Sequence, residues 1–221
     1  MTTGDGFERL RVAGLIAVVR ADRREDAVRV VGALLAGGVQ AVELTFTTPG
    51  AAEALAQVRQ VYGGEVLLGA GTIREIAQVE AALHAGVDFM VTSHFRADVL
   101  DAMLSTGLPV MPGVFTPSEV GQALDAGARA VKLFPASTAG PGHLRALRGP
   151  FPGLQVVPTG GIDLPDIHPW FAAGALAVGA GSELVPRAAV QTGRWDEVSR
   201  RAERFVDELR AARTKLEPSR A

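Results

Sequence analysis

The chain has 221 residues, of which 48% are hydrophobic and 21% charged, enough apolar material for the core of one large domain and too much for a disordered polar segment. A net charge of −2 offers no basic surplus, so neither nucleic acid nor an anionic membrane is expected as a partner. The lack of cysteine excludes disulfides, thiol nucleophiles and thiolate metal sites, and it agrees with a cytoplasmic location.

Residues 1–6 are polar and lack a charged stretch followed by an apolar one, so no signal peptide is expected. No apolar run is long enough to span a bilayer. From residue 15 onward, short apolar and β-branched runs predict strands over residues 15–20, 41–46, 66–70, 89–92, 110–112, 130–134, 155–158 and 175–179. Between them, three-to-four spacing of apolar residues predicts helices over 25–35, 51–62, 74–84, 97–105, 117–126, 143–147 and 164–172, with a last helix over 195–212. Glycines at Gly37-Gly38, Gly86, Gly107, Gly127 and Gly174 fall just past a helix and just before a strand, where a left-handed residue stops a helix. Eight strands, each followed by a helix and with no break in composition, read as a single (β/α)8 TIM barrel over residues 1–221, with a short polar N-terminal segment and a C-terminal helix. The alternative is an open doubly wound sheet. Its usual glycine-rich turn after the first strand is missing, since Arg20-Ala21-Asp22-Arg23 stands there.

Two lysines stand against twenty arginines, and Lys132 lies inside the apolar run Ala130-Val131-Lys132-Leu133-Phe134-Pro135. Arginine serves an ion pair at least as well, but it does not shed its proton near neutral pH and attack a carbonyl. A lone lysine on a buried strand is therefore a candidate Schiff-base nucleophile. The competing reading is a core ion pair, or a lysine snorkelling to the rim. Strand alternation puts Glu43, Thr45 and Thr47 on one face, with Val42, Leu44 and Phe46 on the other. If the apolar set faces the helices, Glu43 points into the barrel and meets Lys132 there. It is then a structural counter-ion, a general acid/base, or both, because a buried pair must balance in either case.

In a barrel, function collects at the C-terminal ends of the strands. Pro158-Thr159-Gly160-Gly161 follows the seventh strand and Gly179-Ala180-Gly181-Ser182 the eighth, the usual place for a phosphate. Small residues let backbone N–H groups approach an anion, and a short helix starting near Ser182 would add its positive end. Each glycine pair alone is also ordinary turn chemistry. Arg20, at the end of the first strand, is a cationic clamp or a plain rim arginine. Gly69-Ala70-Gly71-Thr72 lets a substrate sit against backbone, and Thr72 either binds a carboxylate or caps the next helix. The histidines His84, His94, His143 and His168 are scattered without metal-ligand spacing, so no metal is expected.

Val42-Glu43-Leu44-Thr45, Gly69-Ala70-Gly71-Thr72, Val131-Lys132-Leu133-Phe134-Pro135-Ala136, Pro158-Thr159-Gly160-Gly161 and Gly181-Ser182 together resemble the 2-keto-3-deoxy-6-phosphogluconate (KDPG) aldolase family, which includes 4-hydroxy-2-oxoglutarate and phosphogalactonate aldolases. The resemblance runs from about residue 15 to residue 185. It implies a class I aldolase acting on a phosphorylated keto-acid, free of metal and cofactor, and assembled as a homotrimer. By that similarity Lys132 forms the imine and Glu43 is the general acid/base. Thr72 would bind the pyruvyl carboxylate, with Phe134 beside the reactive carbon. Gly160, Gly161, Gly181 and Ser182 would hold the phosphate, and Thr159 matches the phosphogluconate type. Two positions depart from the pattern. Some members carry Arg where Thr47 stands, which shifts carboxylate recognition toward Arg20 and Thr72. Many carry Pro where Ser93 stands, which alters the local wall. The rivals are another phosphate-binding barrel in which Lys132 is only electrostatic, and a non-catalytic binder of sugar-acid phosphates.

Overall fold

The computed structural model describes residues 6–216, so the polar N-terminal segment lies outside the described residues except for Gly6. Among the described residues there are eight parallel strands: β1 Leu15–Val19, β2 Ala41–Thr45, β3 Leu67–Gly71, β4 Phe89–Val91, β5 in two pieces (Val110–Met111 and Gly113–Val114), β6 Ala130–Leu133, β7 Gln155–Pro158 and β8 Val178–Ala180. One six-stranded ladder runs from β8 through β1 to the first half of β5, and a second joins the other half of β5 to β6 and β7. The break falls at Pro112, which has no N–H to give to a ladder. Its carbonyl still accepts from the Lys132 N–H at 2.9 Å. The circle closes where Thr159 bridges to Gly179 and the Leu176 N–H reaches the Val156 carbonyl at 2.8 Å. The fold is a (β/α)8 barrel.

The crossover helices are α2 Arg24–Ala36, α3 Ala51–Tyr62, α4 Ile76–His84, α5 Ala97–Leu104, α6 Pro117–Asp125, α7 Ala136–Leu147 and α8 Leu164–Ala172. The long α10 Trp195–Leu216 packs against α2 and α8. Gly86, Gly107, Gly127 and Gly174 take positive φ as expected, and after α2 it is Gly38 of the Gly37-Gly38 pair that does so. Two helices escaped the sequence reading. These are α1 Gly6–Ala13, at the entry to the barrel, and the five-residue α9 Arg187–Gln191. Both are short, and their apolar residues are too few to set up a period. Helix α7 starts seven residues earlier than expected, because a kink at Gly140 joins two helical pieces. The expected helix near Ser182 is a single turn closed by the Leu184 and Val185 N–H groups on the Gly181 carbonyl, and α9 begins only at Arg187.

Side chains alternate between two cores. Val42, Leu44, Val131 and Leu133 face outward into the layer shared with the helices. Ile16, Ala41, Leu67, Phe89, Met111, Ala130 and Val157 fill the interior, and Phe7 and Leu10 of α1 pack into the same cluster. Helix α1 thereby seals one end of the barrel and leaves the strand C-termini open. Among the described residues no helix is long and apolar enough to cross a membrane.

Candidate active site

The two inward ionisable residues meet. Lys132 Nζ on β6 lies 3.1 and 3.4 Å from the two carboxylate oxygens of Glu43 on β2, across 89 residues of sequence. Lys132 is 4% exposed and Glu43 2%. Removing two charges from water this completely is tolerated because each is the other's counter-ion. The space for Glu43 comes from β3. A Cβ at Gly71 would stand 2.0 Å from Glu43 Oε1, and one at Gly69 would stand 2.2 Å from the Phe89 ring. Gly71 is thus occupied from above by the Glu43 carboxylate, which corrects the expectation that it opens backbone to a substrate.

Above the pair is a cavity of about 420 Å³ at the C-terminal ends of the strands. Lys132 lines it, together with Arg20, Thr72, Ser93, Phe134, Thr159, Gly160, Gly161, Gly181 and Ser182. Ten of the twelve residues singled out by sequence therefore share one cavity, and Glu43 contacts it through Lys132. The twelfth, Thr47, reaches it indirectly. Its hydroxyl accepts from Arg20 Nε at 2.8 Å and lies 2.8 Å from the Thr45 hydroxyl, so it aims the arginine. Phe134 is 39% exposed, and its ring centroid is 5.7 Å from Lys132 Nζ. An aromatic face at that distance favours a cation, including one that develops on this nitrogen.

Thr72 has φ of +56°, which a β-branched residue adopts only under constraint. It is not the helix cap, since Glu75 occupies that position before α4. Gly160 and Gly161 have successive positive φ of 98° and 70°, and a Cβ on Gly160 would stand 2.9 Å from the Phe134 ring. The Thr159 and Gly160 carbonyls accept from the N–H groups of Ala136 and Ser137, which ties this loop to the end of β6. Ser93 Oγ lies 3.2 Å from His94 Nδ1, a polar contact in the wall.

Sequence reasoning missed Val18, Asp22, Val185 and Arg187 on the cavity wall, and it left Thr45 without a role there. Arg187 and Asp22 could have been found by scanning a few residues beyond the ends of β8 and β1. Arg187 Nη2 is 2.9 Å from Asp22 Oδ1 and Gln191 Nε2 is 2.7 Å from Oδ2. Hydrogen bonds from Gln191 and then Arg187 hold the Asp22 carboxyl below its ordinary range. Among the described residues no three His, Asp or Glu side chains converge as a metal site.

A lysine beside a carboxylate, set below a cavity lined by small-residue loops and an arginine, can form an imine and move protons around it. Comparison with known proteins shows the family. The family model described as KDPG and KHG aldolase matches residues 7–201. A 2-dehydro-3-deoxy-phosphogluconate aldolase of Treponema pallidum (strain Nichols) is 38% identical over 200 residues, covering 90% of this chain and 93% of its own. A 2-dehydro-3-deoxy-6-phosphogalactonate aldolase of Escherichia coli (strain K12) is 34% identical over 171 residues, covering 77% and 83%. The KDPG aldolase of Legionella pneumophila, solved with pyruvate captured at low pH as a covalent carbinolamine intermediate, superposes with a TM-score of 0.84 at 29% identity over 90% of this chain and 97% of that one. The chain belongs to the KDPG and KHG aldolase family.

Proposed function

We propose that this chain reversibly cleaves KDPG to pyruvate and D-glyceraldehyde 3-phosphate through an imine on Lys132. The observation that carries the reading is the buried Lys132–Glu43 pair at the base of a cavity rimmed by Gly160, Gly161, Gly181 and Ser182. A proton passed from Nζ to Glu43 frees the lone pair that attacks the C2 ketone. Loss of water gives an iminium, whose positive nitrogen draws electrons from the C3–C4 bond. Glu43, directly or through water, takes the C4 hydroxyl proton as that bond breaks. The resulting enamine is reprotonated at C3 and hydrolysed, releasing pyruvate and the amine.

Thr72 and Arg20 bind the carboxylate next to C2, with Arg20 aimed by Thr47. Phe134 packs beside the iminium. The Gly160–Gly161 and Gly181–Ser182 loops bind the phosphate. Thr159 and Ser93 form the wall beside the chain of the sugar acid. KDPG is preferred over its galactonate epimer on the strength of Thr159, which is buried with its hydroxyl 3.4 Å from the Val157 carbonyl, and of the relatives that bear the phosphogluconate name. A homotrimer with no metal or cofactor follows from the family resemblance, and the lack of cysteine supports a cytoplasmic location.

The test compares kcat/KM for KDPG, its galactonate epimer and 4-hydroxy-2-oxoglutarate, with pyruvate release as the readout. KDPG is expected to lead. Faster cleavage of either competitor reassigns the substrate, and pyruvate from none of them leaves only a binder of sugar-acid phosphates. Glu43→Gln, which keeps the shape of the side chain, is expected to fold and to lose most turnover.

A further inference from the structure

At the cavity mouth, the loop after β1 and the start of α9 meet across the seam between β1 and β8. Among the described residues three cationic side chains line the cavity: Lys132 at the base, and Arg20 and Arg187 at the rim. Arg20 is tied to Thr47 after β2, whereas Arg187 is tied to Asp22 after β1. The Arg187–Asp22 pair uses the Nε and Nη2 edge of the guanidinium, at 3.4 and 2.9 Å, which leaves both N–H groups of Nη1 outside the pair. Gln191, one turn further along α9, donates to the same carboxylate at 2.7 Å.

The Arg187 side chain is 75% exposed and that of Asp22 46%, so the pair adds little to stability through solvent-screened attraction. Its consequence is positional. It holds a planar five-donor cation in the cavity lined by Gly160, Gly161, Gly181 and Ser182, whose own donors are backbone groups and one hydroxyl. Asp22 is held below its ordinary carboxyl range by these same partners, so it remains an anion through neutral pH and keeps its grip on the arginine.

A keto-acid bound to Lys132 through C2 has its carboxylate beside the imine, and any charge at its far end lies several carbons away. We propose that Arg187 is a specificity-determining residue that reads the charge at that far end, and that Asp22 and Gln191 are the positioning residues that aim it. The inference rests on the aldolase reading and deepens it. It separates phosphorylated from unphosphorylated keto-acids by a side chain rather than by the glycine loops alone.

The test measures kcat and KM for the phosphorylated six-carbon keto-acid and its unphosphorylated counterpart, at low and high salt. It uses the wild type, Arg187→Ala, Arg187→Lys and Asp22→Asn. One charge-assisted contact at an exposed rim predicts that Arg187→Ala lowers the preference for the phosphorylated substrate by about tenfold, mainly through KM. Arg187→Lys should recover part of that preference, and Asp22→Asn should lose part of it, again through KM. The gap between wild type and Arg187→Ala should narrow as salt rises. A loss equal on both substrates, or an unaltered preference, overturns the proposal. A second arm measures binding of inorganic phosphate to wild type and Arg187→Ala by calorimetry, and equal affinities also overturn it. Pyruvate carries no phosphate, so trapping it on the wild type with borohydride reports on the imine alone. Absence of that adduct would remove the aldolase reading, whereas an adduct with an unchanged phosphate preference would remove only the role of Arg187.

Discussion

Substituting Gly71 by Ala tests how tightly the Lys132–Glu43 pair is held. The backbone at Gly71 has no positive φ, so alanine is conformationally acceptable there and the perturbation is steric. The new methyl would lie 2.0 Å from Glu43 Oε1 and 2.5 Å from its Cγ and Cδ. Reaching an ordinary contact near 3.5 Å moves the carboxylate by on the order of 1.5 Å. That displacement is half of the 3.1 Å separation from Lys132 Nζ. Misplacing a reacting group by about 1 Å can cost roughly a hundredfold in rate, and overpacking of a filled interior costs about 1–3 kcal/mol. The control is Gly69→Ala, two residues earlier on the same strand, whose methyl would strike the Phe89 ring instead. Steady-state cleavage and urea unfolding of both variants separate the effects. Both should lose stability, and only Gly71→Ala should lose about two orders of magnitude in kcat. Full turnover in folded Gly71→Ala would show that the position of Glu43 does not govern the chemistry.

Two further predictions concern stability. Lys132→Met strands Glu43 in the interior and should cost about 3–5 kcal/mol by denaturant unfolding, most of it recovered in the double variant with Glu43→Leu; a single variant as stable as wild type would contradict a buried ion pair. At the start of α6, Thr116 and Glu119 cap each other. Burial raises the Glu119 carboxyl, but the N–H groups of Thr116 and Phe115 and the Thr116 hydroxyl outweigh it, so the group titrates below its ordinary range. Its contribution is then complete above the ordinary glutamate range and lost as pH falls through the lowered value. The stability gap between wild type and Glu119→Gln should accordingly be full at neutral pH and close in acid. A gap that widened in acid would reverse the sign.

The barrel was legible because each parallel strand is buried on both faces and announces itself as an apolar run, as at Ala130–Leu133. Lys132 and Glu43 stood out because each interrupts such a run, and alternation alone turned both toward the same interior. Long-range packing was not legible. Nothing near Gly71 in sequence says that its missing side chain makes room for a carboxylate on the neighbouring strand. The start of β8 was misplaced by three residues, because Ala175-Leu176-Ala177 is as apolar as the strand it leads into. The kink at Gly140 hid the first part of α7, since glycine and Pro141 both argue against a helix there. Asp22 and Arg187 were invisible as a pair, because 165 residues separate them and only barrel closure brings them together.

Borohydride reduction in the presence of pyruvate, followed by peptide mapping, reads the nitrogen on which the proposed chemistry turns. Lys132 is buried at the cavity base and Lys215 is exposed near the end of α10, so the two lysines are cleanly distinguished. A stable adduct on Lys132, absent from Lys132→Arg, is the predicted result. An adduct on Lys215, or none on either lysine, would contradict the account.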